Sequence, residues 1–275
     1  MIHDLATNTV KLKKEFSKIY SGSSHIQEVL PLCPSDAFQI NQKHLDLLHA
    51  FAKNNPIYYN TFEQNISDIS CIVYEGDINR YWLNSIKHGS SRAPFSPTWI
   101  LSAYVASLYA KQLGFDELID IGSGDGRIAY CAKILDMVSY SLEIDNMLVE
   151  LQNSISASTG ANFSPSCVDA IYFDYSSLHL KKPVFFIGGL AQMGGVFLAT
   201  GVLENLISSS VLKNIGMVFA GTISPKYSPD PMSDAGWGTL IHKYGLNVID
   251  TVVLPTVWTF HDPDDTHYVF SKFIS

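Results

Sequence analysis

The stretch Glu117-Leu118-Ile119-Asp120-Ile121-Gly122-Ser123-Gly124-Asp125-Gly126-Arg127 decides the fold. An apolar run ends in an acid and crosses three alternating glycines. It then enters a helical pattern with apolar residues at Ile128, Ala129, Cys131, Ala132, Ile134 and Leu135. A strand that passes into a helix through glycines lets a ligand lie on bare backbone at the positive helix N-terminus. Open α/β sheets hold nucleotide-like cofactors in this way.

The residue types narrow the cofactor. A dinucleotide fingerprint, G-x-G-x-x-G, needs its third glycine where Arg127 stands. Asp120 is a second obstacle, because a carboxylate and a pyrophosphate repel in a partly desolvated pocket. A P-loop is excluded, since no Gly-Lys-Ser/Thr follows. A carboxylate suits a ligand that carries an ammonium group and a sulfonium. The run D-x-G-x-G-x-G resembles motif I of the class I S-adenosylmethionine (SAM) methyltransferases. That resemblance implies a Rossmann-like, doubly wound, seven-stranded and mostly parallel sheet with an antiparallel last strand. It also implies SAM as cofactor, held by Asp120, Gly122, Ser123, Gly124 and Gly126.

The following segments fit in order. Val138 to Asp145 reads as a second buried strand, with Glu143 roughly twenty residues beyond the first glycine, as a βαβ unit requires. The resemblance gives Glu143 both ribose hydroxyls, a task suited to two acceptor oxygens, with Ile144 beside it. A helix from Asn146 leads to a third strand ending at Cys167-Val168-Asp169-Ala170, where the resemblance places Asp169 and Ala170 at the adenine. Lys182 to Ile187 reads as a fourth strand, and the resemblance places Gly188, which follows it, beside the sulfonium. Gly216 to Gly221, Val248 to Leu254 and Tyr268 to Ile274 complete the sheet, with a short helix at Trp237 to Tyr244.

Pro97-Thr98 with Gly-Ser-Gly-Asp-Gly-Arg is similar to archaeal-type seven-strand protein lysine methyltransferases. By that analogy Thr98 contacts the SAM carboxylate, and Tyr81, Trp82 and Trp99 wall a lysine channel by cation–π contact. Gln192 and Tyr227 are expected toward the acceptor. Plainer roles stand beside these. Tyr81, Trp82 and Trp99 also suit core packing. Asp125 and Asp145 read as solvated or helix-capping acids, Arg127 as a helix-surface residue, and Asp169 as an ordinary turn acid. Ser96 or Thr98 could cap an entry helix over Thr98 to Leu113.

Composition agrees with a globular enzyme: 275 residues, 47% hydrophobic and 16% charged. A net charge of −8 disfavours a nucleic-acid or anionic-membrane partner. The lysines at 11, 13, 14 and 18 read as a solvated helix face. Four scattered cysteines form no C-x-x-C pair, so zinc is not expected; Cys131 and Cys167 read as buried thiols. The N-terminus lacks a signal peptide's apolar core, and a reducing cytoplasm is the simple expectation. The uncharged run Val184 to Leu203 is broken by glycines and reads as strand, loop and helix rather than a membrane span. His261 to His267 holds two histidines and three acids, but Asp-Pro-Asp-Asp is turn chemistry, and no metal is expected.

The chain divides into a mainly helical N-terminal extension or lid, 1–95, and a SAM-dependent methyltransferase domain, 96–275. In the extension, Phe38 to Ala52 and Asp77 to Ile86 read as helices and Ile69 to Tyr74 as a short strand. The expected activity is methyl transfer to an unassigned acceptor, a protein amine ahead of a small molecule. The alternatives are a non-catalytic SAM-binding module or another nucleotide-cofactor enzyme of the same fold. No catalytic base stands out; His88, Tyr227 and His242 are bare candidates. The sequence assigns no oligomeric state.

Overall fold

The computed structural model describes residues 2–81, 95–188, 194–209, 214–220, 230, 232–233, 236–255 and 265–273. A seven-stranded sheet runs in the order β6-β5-β4-β7-β8-β10-β9. Its strands are β4 (Glu117–Ile121), β5 (Val138–Glu143), β6 (Pro165–Cys167), β7 (Pro183–Ile187), β8 (Gly216–Phe219), β9 (Leu246–Pro255) and β10 (Asp265–Phe273). Only β10, the last strand, runs antiparallel to its neighbours. The expected sheet is therefore present.

β7 shows why the sheet is so apolar. Its Val184 and Phe186 face one core, and Phe185 and Ile187 face the other. Both faces are covered, so the strand reads as an unbroken apolar run rather than an alternating one. On the first face lie α3 (Ile100–Gln112), α4 (Arg127–Ile134) and α5 (Asn146–Thr159). On the second lie α6 (Gly195–Ser208) and α7 (Gly238–Lys243). The strand order reverses between β4 and β7, and in such sheets the ligand crevice opens at the carboxyl ends on that switch point. The uncharged run at 184–203 divides between β7 and α6, and no described helix is long and apolar enough to cross a membrane.

The segment before residue 95 holds the helix expected at 38–52, here Gln42–Asn54, but it also carries a sheet, and most of the helix expected at 77–86 lies outside the described residues. It contains α1 (Ile2–Ile19), β1 (Ile26–Pro31), α2 (Gln42–Asn54), β2 (Tyr58–Ile66) and β3 (Ile69–Gly76). The strands form a separate antiparallel sheet in the order β1-β3-β2. The expected short strand at 69–74 is its central member. β2 was not legible, because it is an edge strand with mostly exposed or half-buried side chains. α1 buries Ile2, Leu5, Ala6, Thr9, Leu12, Lys13 and Phe16, an i, i+3, i+4 stripe diluted by lysines. Lys13 lays its stem into that stripe, and Lys14 Nζ meets Asp265 Oδ2 at 2.8 Å, so the basic cluster is partly used in packing. One continuous core runs from Ile2 and Phe51 through Val105 and Tyr130 to Phe270. All four cysteines are free; Cys131 is buried as expected, but Cys167 is exposed at the end of the short edge strand β6.

Candidate functional site

The sequence-predicted residues line the carboxyl edge of four adjacent strands. Asp169 and Ala170 follow β6, Glu143 and Ile144 end β5, Asp120 and the glycine loop end β4, and Gly188 follows β7. Neighbouring strands lie about 4.8 Å apart, so this row spans roughly 14 Å, enough for an elongated ligand. Gly122, Gly124 and Gly126 all take left-handed φ values, +64°, +60° and +77°. Such backbone favours glycine and leaves these three positions without side chains.

The loop is tied down from β5 and α5. Gly122 and Ser123 donate their amides to the Leu142 carbonyl at 2.9 and 3.2 Å. Gln152 on α5 donates to the Gly124 carbonyl at 2.7 Å and to Ser123 Oγ at 3.0 Å, while its own carbonyl accepts from Ser141. Gln152 was missed at the sequence level, because a lone amide on a helix carries no local signal. Glu143 Oε2 accepts from the Gly124 amide at 2.8 Å, and Oε1 accepts from the amides of Ile144 and Asp145. A carboxylate offers about four acceptor positions, so Glu143 keeps capacity for one hydroxyl in this arrangement. Burial raises its pKa, and these three amides oppose the rise.

Asp120 is almost fully buried, and its Oδ2 accepts from the Ala129 amide in the first turn of α4 at 3.2 Å. Burial pushes its carboxyl up to about 8, against the Ala129 bond and with help from Glu143 and Asp125. A buried carboxyl held near neutrality of charge is poised to ionise when a cationic group arrives. The same shift makes stability depend on pH. A carboxyl whose folded pKa lies above its unfolded value stabilises the fold fully below the unfolded value and ceases to do so as pH rises through the folded one. Glu28 behaves alike, pushed up to about 7 by burial against the pull of Arg127. The protein without cofactor should therefore lose stability from about pH 4 to about pH 8. Asp120→Asn should flatten the part of that slope above pH 7, where Glu28 has ionised; thermal melts across pH 5–9 check it.

At the other end of the row, a Cβ placed on Gly188 would lie 4.0 Å from Thr98 Oγ1 and 3.6 Å from Ile128 Cδ1. Burial raises the pKa of the Tyr268 hydroxyl on β10, and the neighbouring Thr98 side chain opposes the rise. Tyr268 was not singled out in the sequence, since an aromatic in a closing strand looks like core. Asp169 Oδ1 accepts from the Ile171 amide at 2.9 Å, closing a turn, with Ala170 buried beside it. Asp145 caps α5 by accepting from the Met147 amide at 2.8 Å, as its plainer reading held.

Two readings of the motif's charged residues are corrected. Arg127 is not on a helix surface but is 2% exposed, and Asp125 is not solvated but 1% exposed. The guanidinium forks onto Asp125, with Nε to Oδ1 at 2.9 Å and Nη2 to Oδ2 at 2.5 Å. It also donates to Glu28 Oε1 on β1 at 2.5 Å, to the Tyr58 hydroxyl at 3.2 Å and to the Thr98 carbonyl. Asn55 donates to Asp125 at 2.9 Å, and the Phe51 ring lies under the guanidinium. Three segments thus close around one buried cation.

Of the two readings of Trp99, core packing is the one its surroundings support. The side chain is buried, and its indole donates to the Gln27 carbonyl at 3.0 Å, so it packs β1 onto α3 instead of facing an acceptor. Neither Ser96 nor Thr98 caps α3; Glu28 Oε2 does so from β1, accepting the Ile100 amide at 2.8 Å. Tyr81 is buried edge-on to Phe95. His242 is exposed near the end of α7, which leads into the start of β9 and away from the carboxyl edge. Gln192, Tyr227, Trp82, His88 and the acidic turn at 261–264 lie outside the described residues. Among the described residues no three His, Cys, Asp or Glu side chains gather to hold a metal.

The donor set fits SAM in kind: two buried carboxyls at the ends of β4 and β5 with glycine backbone between them, while the Arg127 guanidinium is taken up by Glu28, Asp125, Tyr58 and the Thr98 carbonyl rather than free for a pyrophosphate. The fold is a Rossmann-like α/β sheet with helices on both faces. No family model matches the chain, and no curated protein does. Among solved structures, it is similar to the Pyrococcus abyssi tRNA (uracil-54, C5)-methyltransferase bound to S-adenosyl-L-homocysteine: 8% identity, 78% of this chain, 44% of that one and a TM-score of 0.48. A precorrin-6y C5,15-methyltransferase from Geobacter metallireducens matches over 63% of this chain and 88% of its own, at 17% identity and a TM-score of 0.42. A ribosomal protein L11 methylase from Lactobacillus delbrueckii subsp. bulgaricus matches over 63% and 80%, at 10% identity and 0.43. A fold of this kind does not by itself select an acceptor. The net charge of −8 does not by itself exclude a nucleic-acid partner, because a whole-chain charge does not describe a local surface.

Proposed function

We propose that this protein is a SAM-dependent methyltransferase. The observation that carries the reading is the glycine loop in left-handed backbone between the buried carboxyls of Asp120 and Glu143. The cofactor would supply an electrophilic methyl group on a sulfonium. Asp120 and Thr98 would hold its amino-acid end, Glu143 its ribose, and Ile144, Asp169 and Ala170 its adenine. Displacement at such a methyl group asks mainly for in-line alignment and exclusion of water, which a row of buried, tied-down groups supplies. For the acceptor we favour a protein amine over a small molecule, on the Pro97-Thr98 and Gly-Ser-Gly-Asp-Gly-Arg pattern. A lysine acceptor must first lose a proton, so its methylation should rise with pH.

Calorimetric titration with S-adenosylhomocysteine and, separately, NAD tests the cofactor. The expected result is micromolar S-adenosylhomocysteine binding with none for NAD. Asp120→Ala should weaken that binding by about tenfold or more, the loss of one charge-assisted contact. Thermal melts of the same variant separate lost binding from lost folding, since Ala129 also loses its acceptor. Preference for NAD, or no binding by the folded wild type, overturns the reading. Binding without turnover across RNA, protein and small-molecule acceptors would instead make the chain a SAM-binding module.

A further inference from the structure

The buried cluster around Arg127 does more than join three segments. It grips the backbone on both sides of Thr98. The Thr98 carbonyl accepts from Arg127 Nη1, and the Ile100 amide, two residues on, donates to Glu28 Oε2 at 2.8 Å. Glu28 and Arg127 are themselves paired at 2.5 Å, and Arg127 is locked in turn by the Asp125 fork. Between these two fixed points the Thr98 side chain reaches Tyr268 and the carboxyl end of β7 at Gly188. Glu28 comes from 72 residues away and replaces the side-chain cap that α3 lacks.

We propose that Arg127 and Glu28 are positioning residues for the amino-acid end of the cofactor site, acting through Thr98. This rests on the SAM reading and deepens it. Both side chains are buried, and each holds the strap that carries the Thr98 hydroxyl. The N-terminal sheet is thereby a working part of the cofactor site, because Glu28 belongs to β1. A buried ionic cluster is a poor way to gain stability alone, since well-packed apolar residues serve as well or better. Its two bonds to the strap explain its presence here, because a fork and a carboxylate fix backbone direction where apolar contacts would not.

The test compares two ligands that share the adenosine and differ at the far end. S-adenosylhomocysteine carries the amino-acid group; 5′-methylthioadenosine does not. Both are titrated into the full chain as wild type, Glu28→Gln, Arg127→Lys and Thr98→Val. Glu28→Gln keeps an acceptor for the Ile100 amide and should fold even if Arg127→Lys does not. The expected result is a loss of about tenfold or more in S-adenosylhomocysteine affinity in all folded variants, with 5′-methylthioadenosine changed by no more than about twofold. Equal loss of both ligands would show a purely structural staple and overturn the proposal. So would unchanged affinity for both in folded Glu28→Gln. If the folded wild type binds neither ligand, the SAM reading itself fails and takes this proposal with it.

Discussion

Arg127→Met is expected to lower the unfolding free energy by about 3–5 kcal/mol, the cost of breaking a buried ion pair from one side. The guanidinium pairs with both Glu28 and Asp125, whose side chains are 0% and 1% exposed. Without it two carboxyls, the Thr98 carbonyl and the Tyr58 hydroxyl lose their shared donor. Glu28 already sits near pH 7 with the arginine present, because burial outweighs the pairing. The cheapest escape for the variant is therefore to protonate Glu28. Adding Glu28→Gln to Arg127→Met should recover part of the loss, since it removes the uncompensated charge. Urea unfolding of the two single variants and the double variant checks this. A cost below about 1 kcal/mol for Arg127→Met would show that the cluster is solvated in solution.

Gly126→Ala is expected to be the second most damaging change. At φ +77° any L-residue is strained, and here the added Cβ would also lie 2.5 Å from Phe163 Cε2 and 3.0 Å from Gln152 Cγ. Neither neighbour can retreat: Phe163 is fully buried edge-on to Tyr130, and Gln152 holds the Gly124 carbonyl and Ser123. Gly160, after α5, supplies the control. Its φ is +71°, and a Cβ there meets nothing within 4 Å. Gly160→Ala should cost only the left-handed backbone, about 1–2 kcal/mol. Gly126→Ala should cost roughly 1–3 kcal/mol more, the usual range for overpacking, and should displace Gln152 from the loop. Equal costs for the two substitutions would mean that Phe163 yields.

The parts of the fold that were legible share one property: their causes are local. The strand, glycine loop and helix around Asp120 are encoded within about twenty residues of one another, and so is the acid at the end of β5. The double-sided burial of β7 shows in its unbroken apolar run. What was not legible depends on distant partners. Arg127 follows a glycine at a helix start, where a charged residue ordinarily faces water, and its nearest acid in space, apart from Asp125, lies 99 residues earlier. The one signal available was Glu28 itself, an acid inside the apolar run Ile26-Gln27-Glu28-Val29-Leu30, which needs a buried partner. Trp99 misled for a related reason: an aromatic next to a proposed cofactor contact looks like a pocket wall until its indole is seen bonded to Gln27. The same distance hides Gln152, whose role exists only once α5 is folded against the loop.

The central claim is that SAM lies along the carboxyl edge of β6, β5, β4 and β7. A crystal structure of the protein with S-adenosylhomocysteine tests it most directly. The account predicts the ribose on Glu143, the adenine between Ile144 and Ala170, and the amino-acid end between Asp120 and Thr98. A folded protein showing no ligand on that edge at millimolar S-adenosylhomocysteine, or the ligand bound elsewhere, would contradict it.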